Sequence, residues 1–206
     1  MKVERPTVEL LHYTPAPEKI IERAGRICWK SEERITDESH ISFIKMLKSK
    51  EHASVLEHAS AGFIVSTDRG ISHEIVRHRI ASYSQSSTRY CNYSKDKFGN
   101  EITVMLPSGV EPGTPVYSAW ETSCLAAEAA YFQMLKEGAK PEIARSVLPT
   151  CLKTELAWTA NLREWLHICS LRGSKAAHPD VRKVIEQIKP LLYGIAPVVF
   201  EDFQTK

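Results

Sequence analysis

Apolar residues follow two spacings along this chain, one typical of helices and one typical of strands. Apolar positions three or four residues apart predict helices over 18–29, 39–50, 71–78, 116–137, 141–148, 162–171 and 180–189. Short apolar or alternating runs predict strands over 8–13, 59–67, 102–106 and 154–161. Because strands and helices are interspersed, we predict an α/β (mixed α+β) fold, a single domain over 1–206 with a central sheet flanked by helices.

Local signals predict where several of these elements begin or end. The tripeptide 68–70, Asp-Arg-Gly, is typical of a turn. Ser54 and Glu57 have the spacing of a capping box, and Asn161 is a favourable N-cap for the helix that follows it. Pro190 should end or kink the last helix, because proline has no N–H to donate and its ring clashes with the preceding turn.

The composition is that of an ordinary globular protein, with 206 residues and a formal net charge of +2. This small charge argues against a general polyanion binder, so we expect no nucleic-acid partner. No apolar run reaches the length of a membrane span, and the first residues, MKVERPTVELL, lack a signal-peptide core. We therefore expect a soluble, cytoplasmic protein. The five cysteines form no C-x-x-C pair, which predicts reduced thiols rather than a disulfide framework.

The stretch 77–90, RHRIASYSQSSTRY, concentrates basic and hydroxyl side chains and contains no acidic residue. Three guanidiniums resist burial unless they are paired, so the stretch should not form a core strand. Arginine presents a fork of donors that matches phosphate oxygens, and serines with turn N–H groups can complete a phosphate cradle. The stretch therefore predicts a site for a phosphorylated small molecule, with a solvated basic loop as the alternative.

The segment 51–58, EHASVLEH, contains side chains of the kind that bind metals. His52, Glu57 and His58 could in principle be ligands, but their spacing is not that of a zincin helix. The sequence offers no matching partner elsewhere. No metal site is therefore predicted.

Four separate blocks of the chain together resemble one protein family. Arg77-His78-Arg79, seven residues, and then Ser87-x-Arg89 resemble the RHR-x7-S-x-R signature of the flavin-dependent thymidylate synthases. Further blocks similar to that family are the segment 51–58 before the signature, ARSVLP at 144–149, and NLREWLHICSLR at 161–172. Each block alone is a modest signal, whereas four in the right order are specific.

The resemblance implies a thymidylate synthase-complementing protein fold and the conversion of deoxyuridine monophosphate (dUMP) to thymidine monophosphate (dTMP). The family takes the carbon from methylenetetrahydrofolate and the hydride from FADH2, which NADPH regenerates. FAD is therefore the implied cofactor, and dUMP, methylenetetrahydrofolate and NADPH are the implied partners. The family also implies a homotetramer with sites shared between subunits. The chain has no G-x-G-x-x-G, so FAD is not expected on a Rossmann domain.

The same resemblance implies roles for individual residues. The implied flavin contacts are His52, Ser54, Arg77, His78, Arg79, Gln85, Asn161, Arg163 and His167. The implied dUMP contacts are Glu74, Arg77, Gln85, Ser86, Ser87, Thr88, Arg89, Arg145 and Arg172. Many relatives have Gln where this chain has Glu74. Arg172 is the implied catalytic residue, because a guanidinium facing the pyrimidine stabilises negative charge as it builds up on the ring.

Three alternatives stay open from the residues alone. A single-stranded RNA binder would stack bases on arginine and tyrosine, but its basic residues should spread along a strip. A metal-dependent nucleotide hydrolase would need carboxylates near His52 or His58. A relative that binds nucleotide without redox chemistry would keep the phosphate-binding arginines.

Overall fold

Helices and strands are interspersed along residues 1–203, the part of the chain that the computed structural model describes. The predicted domain also includes 204–206, which lie outside the described residues. The α-helices, α1 to α7 in chain order, are Pro17–Ile27, Ser39–Ser49, Arg69–Ile75, Pro115–Lys136, Pro141–Ala144, Leu162–Arg172 and Pro179–Ile195. The strands, β1 to β6, are Lys2–Glu4, Thr7–Tyr13, Ser60–Asp68, Ala81–Gln85, Thr103–Met105 and Lys153–Asn161. None of these helices is long and apolar enough to cross a membrane.

The strands form two sheets, which confirms the predicted mixed α/β class. Four strands are hydrogen-bonded in the order β2-β3-β6-β4, so β4 is an edge strand. The short strands β1 and β5 pair in parallel, with Lys2 opposite Thr103. Most predicted elements lie within a few residues of the observed ones.

The chain groups into two compact units by its internal contacts. Unit 1 comprises 1–7, 66–77 and 84–156, and unit 2 comprises 8–65, 78–83 and the chain from Ala157 onward. The single domain over 1–206 stays a prediction. The division places most of the residues that the resemblance assigns to dUMP in unit 1 and most of those assigned to the flavin in unit 2.

Unit 2 has an aromatic core. Trp158 and Trp165 are fully buried with ring centroids 4.7 Å apart, and Phe63 meets Trp165 edge to face at 5.0 Å. The indole N–H of Trp165 donates to the carbonyl of Ala61 at 2.9 Å, which satisfies the polar end of a buried ring. This core fixes helix α6, which carries several of the predicted site residues.

Gly62 in β3 allows a hydrogen bond to pass over it. His12 Nε2 and Thr159 Oγ1, on strands β2 and β6, lie 3.1 Å apart. A Cβ at Gly62 would lie 2.5 Å from both of these atoms. Glycine is therefore required here by the close approach of two side chains.

Unit 1 has a smaller aliphatic core beside the longest helix. Ile102, Val104, Cys124 and Leu152 are buried together. Cys124 lies on α4, and both it and Tyr131 of the same helix are buried. These two positions therefore anchor the less exposed face of α4.

Helix α3 begins and ends earlier than predicted. The tripeptide at 68–70 is not a turn, because Asp68 is the N-cap of α3 and its carboxylate accepts from the Ile71 N–H at 2.7 Å. The helix ends at Ile75, so Arg77 lies beyond it. The Arg77 N–H reaches the Glu74 carbonyl at 3.4 Å.

The spacer of the signature contains a strand that the sequence did not predict. Strand β4, Ala81–Gln85, alternates half-buried and exposed side chains. The arginines lie outside it, so the expectation that guanidiniums would not enter a core strand still holds. An edge strand with hydroxyls on its exposed face is compatible with such a polar sequence.

The structure also differs from expectation at Ser54 and at Pro190, which does not end the last helix. The short 3-10 turn Ala53–His58 begins before Ser54, and no side chain caps it, so the capping box is absent there. Helix α7 continues past Pro190 to Ile195. Ile188 and Leu192, one on each side of the proline, are fully buried, and their packing offsets the hydrogen bond that proline cannot make.

We expect Gly62→Ala to lower the free energy of unfolding by about 0.5–1.5 kcal/mol, because the His12–Thr159 hydrogen bond must open to admit the methyl group. Gly194→Ala is the matched control. Its Cβ would meet no atom within 4 Å in helix α7, so it should raise stability by about 0.5–1 kcal/mol. Urea unfolding of both variants measures the two effects, and a Gly62→Ala protein as stable as the wild type would contradict the packing described.

Candidate functional site

His78, the centre of the RHR motif, is buried in unit 2, whereas the arginines on either side of it in the chain are exposed. Its side chain is 3% exposed, while Arg77 and Arg79 point into solvent. The motif therefore contributes one inward imidazole and two outward guanidiniums. Only the outward groups are accessible to a large anionic ligand on this face.

His78 lies between a guanidinium and a carboxylate, both from helix α6. Arg172 Nε donates to His78 Nε2 at 3.0 Å. On the other side of the ring, Glu164 Oε1 lies 3.4 Å from His78 Nδ1. His167 is a third neighbour from α6, with its ring centroid 5.9 Å away. The helix thus surrounds the signature histidine with polar groups.

This environment keeps the imidazole neutral. Burial, helped by the nearby Arg172 and His167 charges, lowers the pKa of His78 to about 4. His78, Glu164 and His167 present potential metal ligands within 4.8 Å of one another. A metal ion would compete with the Arg172 N–H for His78 Nε2 and would meet a guanidinium charge, so the arrangement suits a hydrogen-bonded neutral histidine better than a metal ligand.

Tyr83 closes the cluster from strand β4. Its hydroxyl donates to the His78 carbonyl at 2.8 Å, and its ring stacks on Trp158 with centroids 6.2 Å apart. Burial raises the pKa of Tyr83 to about 12, so the phenol stays protonated as a donor. The contact fixes the backbone of the RHR motif.

A groove in unit 2 contains the two predicted flavin residues that precede the signature. His52 and Ser54 are exposed and line a cavity of about 600 Å³ with Arg34, Lys50 and the exposed indole of Trp29. A planar aromatic surface beside basic side chains suits a ligand with a ring system and phosphate groups.

Two predicted flavin residues at the start of helix α6, Asn161 and Arg163, form hydrogen bonds or ion pairs within the chain. Asn161 Oδ1 accepts from the Glu164 N–H at 2.8 Å, which confirms its predicted role as the N-cap of α6. Arg163 is half-exposed and forms an ion pair with Glu57. Surface pairs of this kind contribute little to stability, so a ligand phosphate could replace Glu57 as the partner of Arg163 at small cost.

In unit 1 a groove of about 450 Å³ is lined by basic, hydroxyl and apolar side chains and by Glu142. Arg145 donates to Thr88 Oγ1 at 3.1 Å, and both residues line the groove. Arg69 lines it as well, and its buried Nη1 finds no hydrogen-bond partner among residues 1–203. A buried guanidinium nitrogen without an acceptor is costly, and the positive charge of Arg69 adds to that of Arg145 at this groove.

The end of the signature forms a turn at this groove. The Ser87 carbonyl accepts from the N–H groups of Tyr90 at 3.1 Å and Cys91 at 2.9 Å, and Ser87 Oγ accepts from the Arg89 N–H at 3.3 Å. The exposed Arg89 lies 4.0 Å from Glu142, a loose contact that leaves its charge weakly neutralised. The turn therefore holds a guanidinium near the groove without committing it to a strong ion pair.

Gln85 and Ser86 are tied to strand β6 in unit 1. Gln85 Nε2 donates to Thr154 Oγ1 at 2.9 Å and to Ser72 Oγ at 3.0 Å, while Ser86 Oγ lies 3.0 Å from Thr154 Oγ1. Ser86 lines a different cavity, of about 400 Å³, together with Lys153. The structure therefore does not bring Ser86 to the groove that contains Arg145.

Three residues of these clusters are not predicted from the sequence: Arg69, Tyr83 and Glu164. Arg69 lies in a tripeptide typical of a turn, although Asp68 followed by apolar residues at 71 and 75 is a detectable helix start. Glu164 stands three residues after Asn161, a capping-box spacing that indicates a first-turn position but not what the carboxylate faces. Nothing in the sequence indicates the contact that Tyr83 makes, apart from its position between the arginines of the stretch 77–90.

Comparisons with known proteins agree on one family. Residues 9–198 match the family described as Thymidylate synthase complementing protein. A flavin-dependent thymidylate synthase of Geobacter sulfurreducens is 35% identical over 202 residues, covering 95% of this chain and 85% of that protein. One from Mycobacterium sp. (strain KMS) is 31% identical over 207 residues, covering 90% and 79%. The crystal structure of PolB, a UMP/dUMP methylase from Streptomyces cacaoi bound with 5-Br dUMP, matches with a TM-score of 0.83 at 25% identity, covering 98% of this chain and 96% of that one.

We expect His78 to make the protein less stable in mild acid. Its pKa is about 4 in the folded protein and 6.5 ordinarily, so the unfolded chain takes up the proton first as the pH falls. The histidine should have no effect above pH 6.5 and should cost stability progressively between 6.5 and 4. Between about pH 7 and about pH 5, the wild type should lose up to about 2 kcal/mol more than His78→Gln, which cannot titrate. Urea unfolding at both pH values measures the difference, and equal losses would contradict a neutral His78.

Proposed function

The chain belongs to the Thymidylate synthase complementing protein family, and from that premise we propose that it is a flavin-dependent thymidylate synthase. It methylates dUMP to dTMP. The four sequence blocks that resemble this family lie within the matched residues 9–198. The predicted family and its fold are therefore confirmed, and the roles of single residues and of the co-substrates form the proposal.

The substrate phosphate binds in the unit 1 groove. The observation that carries this assignment is that Arg69, Arg145 and Thr88 line one groove, and that Arg69 Nη1 has no hydrogen-bond partner among residues 1–203. Arginine forks bind phosphate bidentately, and a threonine hydroxyl can donate a further hydrogen bond. Ser87 and Arg89 contribute from the turn at the end of the signature. The residues of the groove thus fit the phosphate of a nucleoside monophosphate.

The flavin is FAD, held by residues of unit 2, which include the exposed signature residue Arg79. The donor set fits a dinucleotide, because His52 and Ser54 share their groove with an exposed indole, and Arg79 and Arg163 offer guanidiniums on the surface. When bound, the reduced flavin supplies the hydride that the reductive methylation needs. The protein's own contribution is to hold and orient the two ligands.

Arg172 acts on the pyrimidine. Its Nε is fixed by His78, so the guanidinium plane has a defined orientation. A fixed cation beside the ring stabilises negative charge that develops there during methylation. In this family no nucleophile of the enzyme attacks the pyrimidine ring. The buried thiols of Cys124 and Cys169 agree with this, because burial raises their pKa values to about 12 and keeps them protonated.

Methylenetetrahydrofolate supplies the carbon and NADPH regenerates the reduced flavin in this proposal. The chain assembles as a homotetramer in the cytoplasm, with each site completed by neighbouring subunits. The exposed Arg77 and Arg79 are suited to such sharing, because they project from the subunit that carries them.

We expect Arg145→Ala to weaken dUMP binding by about 1.5–3 kcal/mol, the contribution of a hydrogen bond to a charged group. Arg69→Ala should have an effect of similar size, because it removes the other guanidinium of the groove. Arg5→Ala, at an exposed position remote in sequence from the four matched blocks, is the control and should leave binding unchanged. Calorimetric titration with dUMP measures all three, and an Arg145→Ala protein that binds dUMP like the wild type would remove Arg145 from the site.

The activity itself is tested by NADPH oxidation in the presence of FAD, with dUMP and methylenetetrahydrofolate added singly and together. We expect dUMP to stimulate oxidation and dTMP to form only when the folate is also present. Arg172→Ala should lower turnover more than it lowers flavin binding. Flavin absorbance of the purified protein, without dTMP formation under any of these conditions, would indicate a nucleotide-binding relative without the redox chemistry.

A further inference from the structure

Glu164 is a buried acidic side chain within the block 161–172, and the family resemblance assigns it no role. Its side chain is 10% exposed, and Oε1 lies 3.4 Å from His78 Nδ1. A glutamate at the third position of a helix often turns back to cap the helix or simply faces its dipole. Here the Asn161 side chain caps the helix, and the Glu164 carboxylate faces the imidazole instead.

The hydrogen bond on the other side of the ring determines which nitrogen of His78 carries the proton. Arg172 Nε is always a donor, so His78 Nε2 must accept and cannot carry hydrogen. A neutral imidazole then has its only N–H at Nδ1. That N–H points at the side of the ring where Glu164 Oε1 lies.

We propose that Glu164 is a positioning residue of the active site, which holds His78 in its Nδ1–H tautomer so that Nε2 can orient the Arg172 guanidinium. The chain of contacts runs from the Glu164 carboxylate through neutral His78 to the Arg172 cation. This inference rests on the proposed function for the role of Arg172, whereas the tautomer of His78 does not depend on that function.

The charges of the cluster support this order of contacts. Arg172 Nε donates to His78 Nε2 at 3.0 Å, and the Glu164 carboxylate lies 3.4 Å from Nδ1, where its negative charge favours a hydrogen on that nitrogen. The opposite tautomer would place an Nε2 hydrogen against the Arg172 N–H and a bare Nδ1 lone pair against the carboxylate. Both contacts would be repulsive. Without an acceptor at position 164, the preference for the Nδ1–H form should fall.

Local structure makes the assignment specific to Glu164. Helix α6 holds the carboxylate in its first turn and Arg172 at its last residue, so one rigid element presents both groups to His78. The Tyr83 hydroxyl fixes the His78 carbonyl at 2.8 Å, which limits movement of the ring. A carboxylate that sets the tautomer of a histidine, which in turn orients a third group, is a known arrangement in enzyme sites.

The test is nitrogen-15 NMR of the histidine rings in the purified holoenzyme, combined with steady-state kinetics. The protein has eight histidines, so the His78 signals are assigned by their loss in His78→Gln. The wild type should show a protonated Nδ1 and an unprotonated Nε2. Glu164→Met removes the acceptor and keeps the length of the side chain. It should give a mixture of tautomers and lower kcat at least about tenfold, with KM for dUMP changed less than about threefold.

Two further variants separate positioning from a general structural effect. Glu164→Gln keeps an acceptor oxygen and should restore both the Nδ1–H tautomer and most of the turnover. Glu186→Met makes the same chemical change at an exposed position of helix α7 and should leave kcat and the His78 signals unchanged.

An Nε2–H tautomer in the wild type would overturn the proposal, and this measurement holds even if Glu164→Met does not fold. A folded Glu164→Met protein with wild-type tautomer and wild-type kcat would overturn it as well. Absence of dTMP formation by the wild type would instead refute the proposed function, and the tautomer measurements would still decide the role of Glu164.

Discussion

The arrangement of unit 2 depends on keeping one imidazole out of water and uncharged. His78 is buried, and its Nε2 must accept from Arg172, so the ring can be neither protonated nor turned over without losing that hydrogen bond. The aromatic core supports this state by excluding water on one side of the ring. Helix α6 supports it on the other side, because it supplies both the donor and the facing carboxylate.

Unit 1 is organised by the opposite requirement, which is to keep guanidiniums unsatisfied. Among the described residues, 1–203, Arg145 bonds to a neutral hydroxyl, Arg89 has a loose surface contact with Glu142, and a buried nitrogen of Arg69 has no acceptor. Each of these states is less stable than a close ion pair would be. The groove thus keeps attraction for an anion that a stable structural salt bridge would have removed.

The sequence by itself determined most of the secondary structure and the family. Helical spacing located α1, α2 and α4 to within a few residues, and the N-cap at Asn161 was identified correctly because its side chain bonds within the next three residues. The four polar blocks identified the family because charged side chains at fixed spacing rarely recur by chance. Helical spacing and N-caps depend on residues close together in the chain, and a family motif depends only on which residues stand at which positions, so both can be recognised without the structure.

Only the tertiary structure decided which polar groups meet. His78 and Arg172 are far apart in the sequence, and nothing in the local pattern shows that one is buried against the other. The same holds for Glu164, whose capping-box spacing suggests a helix terminus while its carboxylate faces an imidazole. Pro190 is the converse case, since local chemistry argues for a helix end and buried side chains on both sides of it carry the helix onward. Burial and long-range hydrogen bonds are properties of the folded chain as a whole, so they override local preference wherever the two disagree.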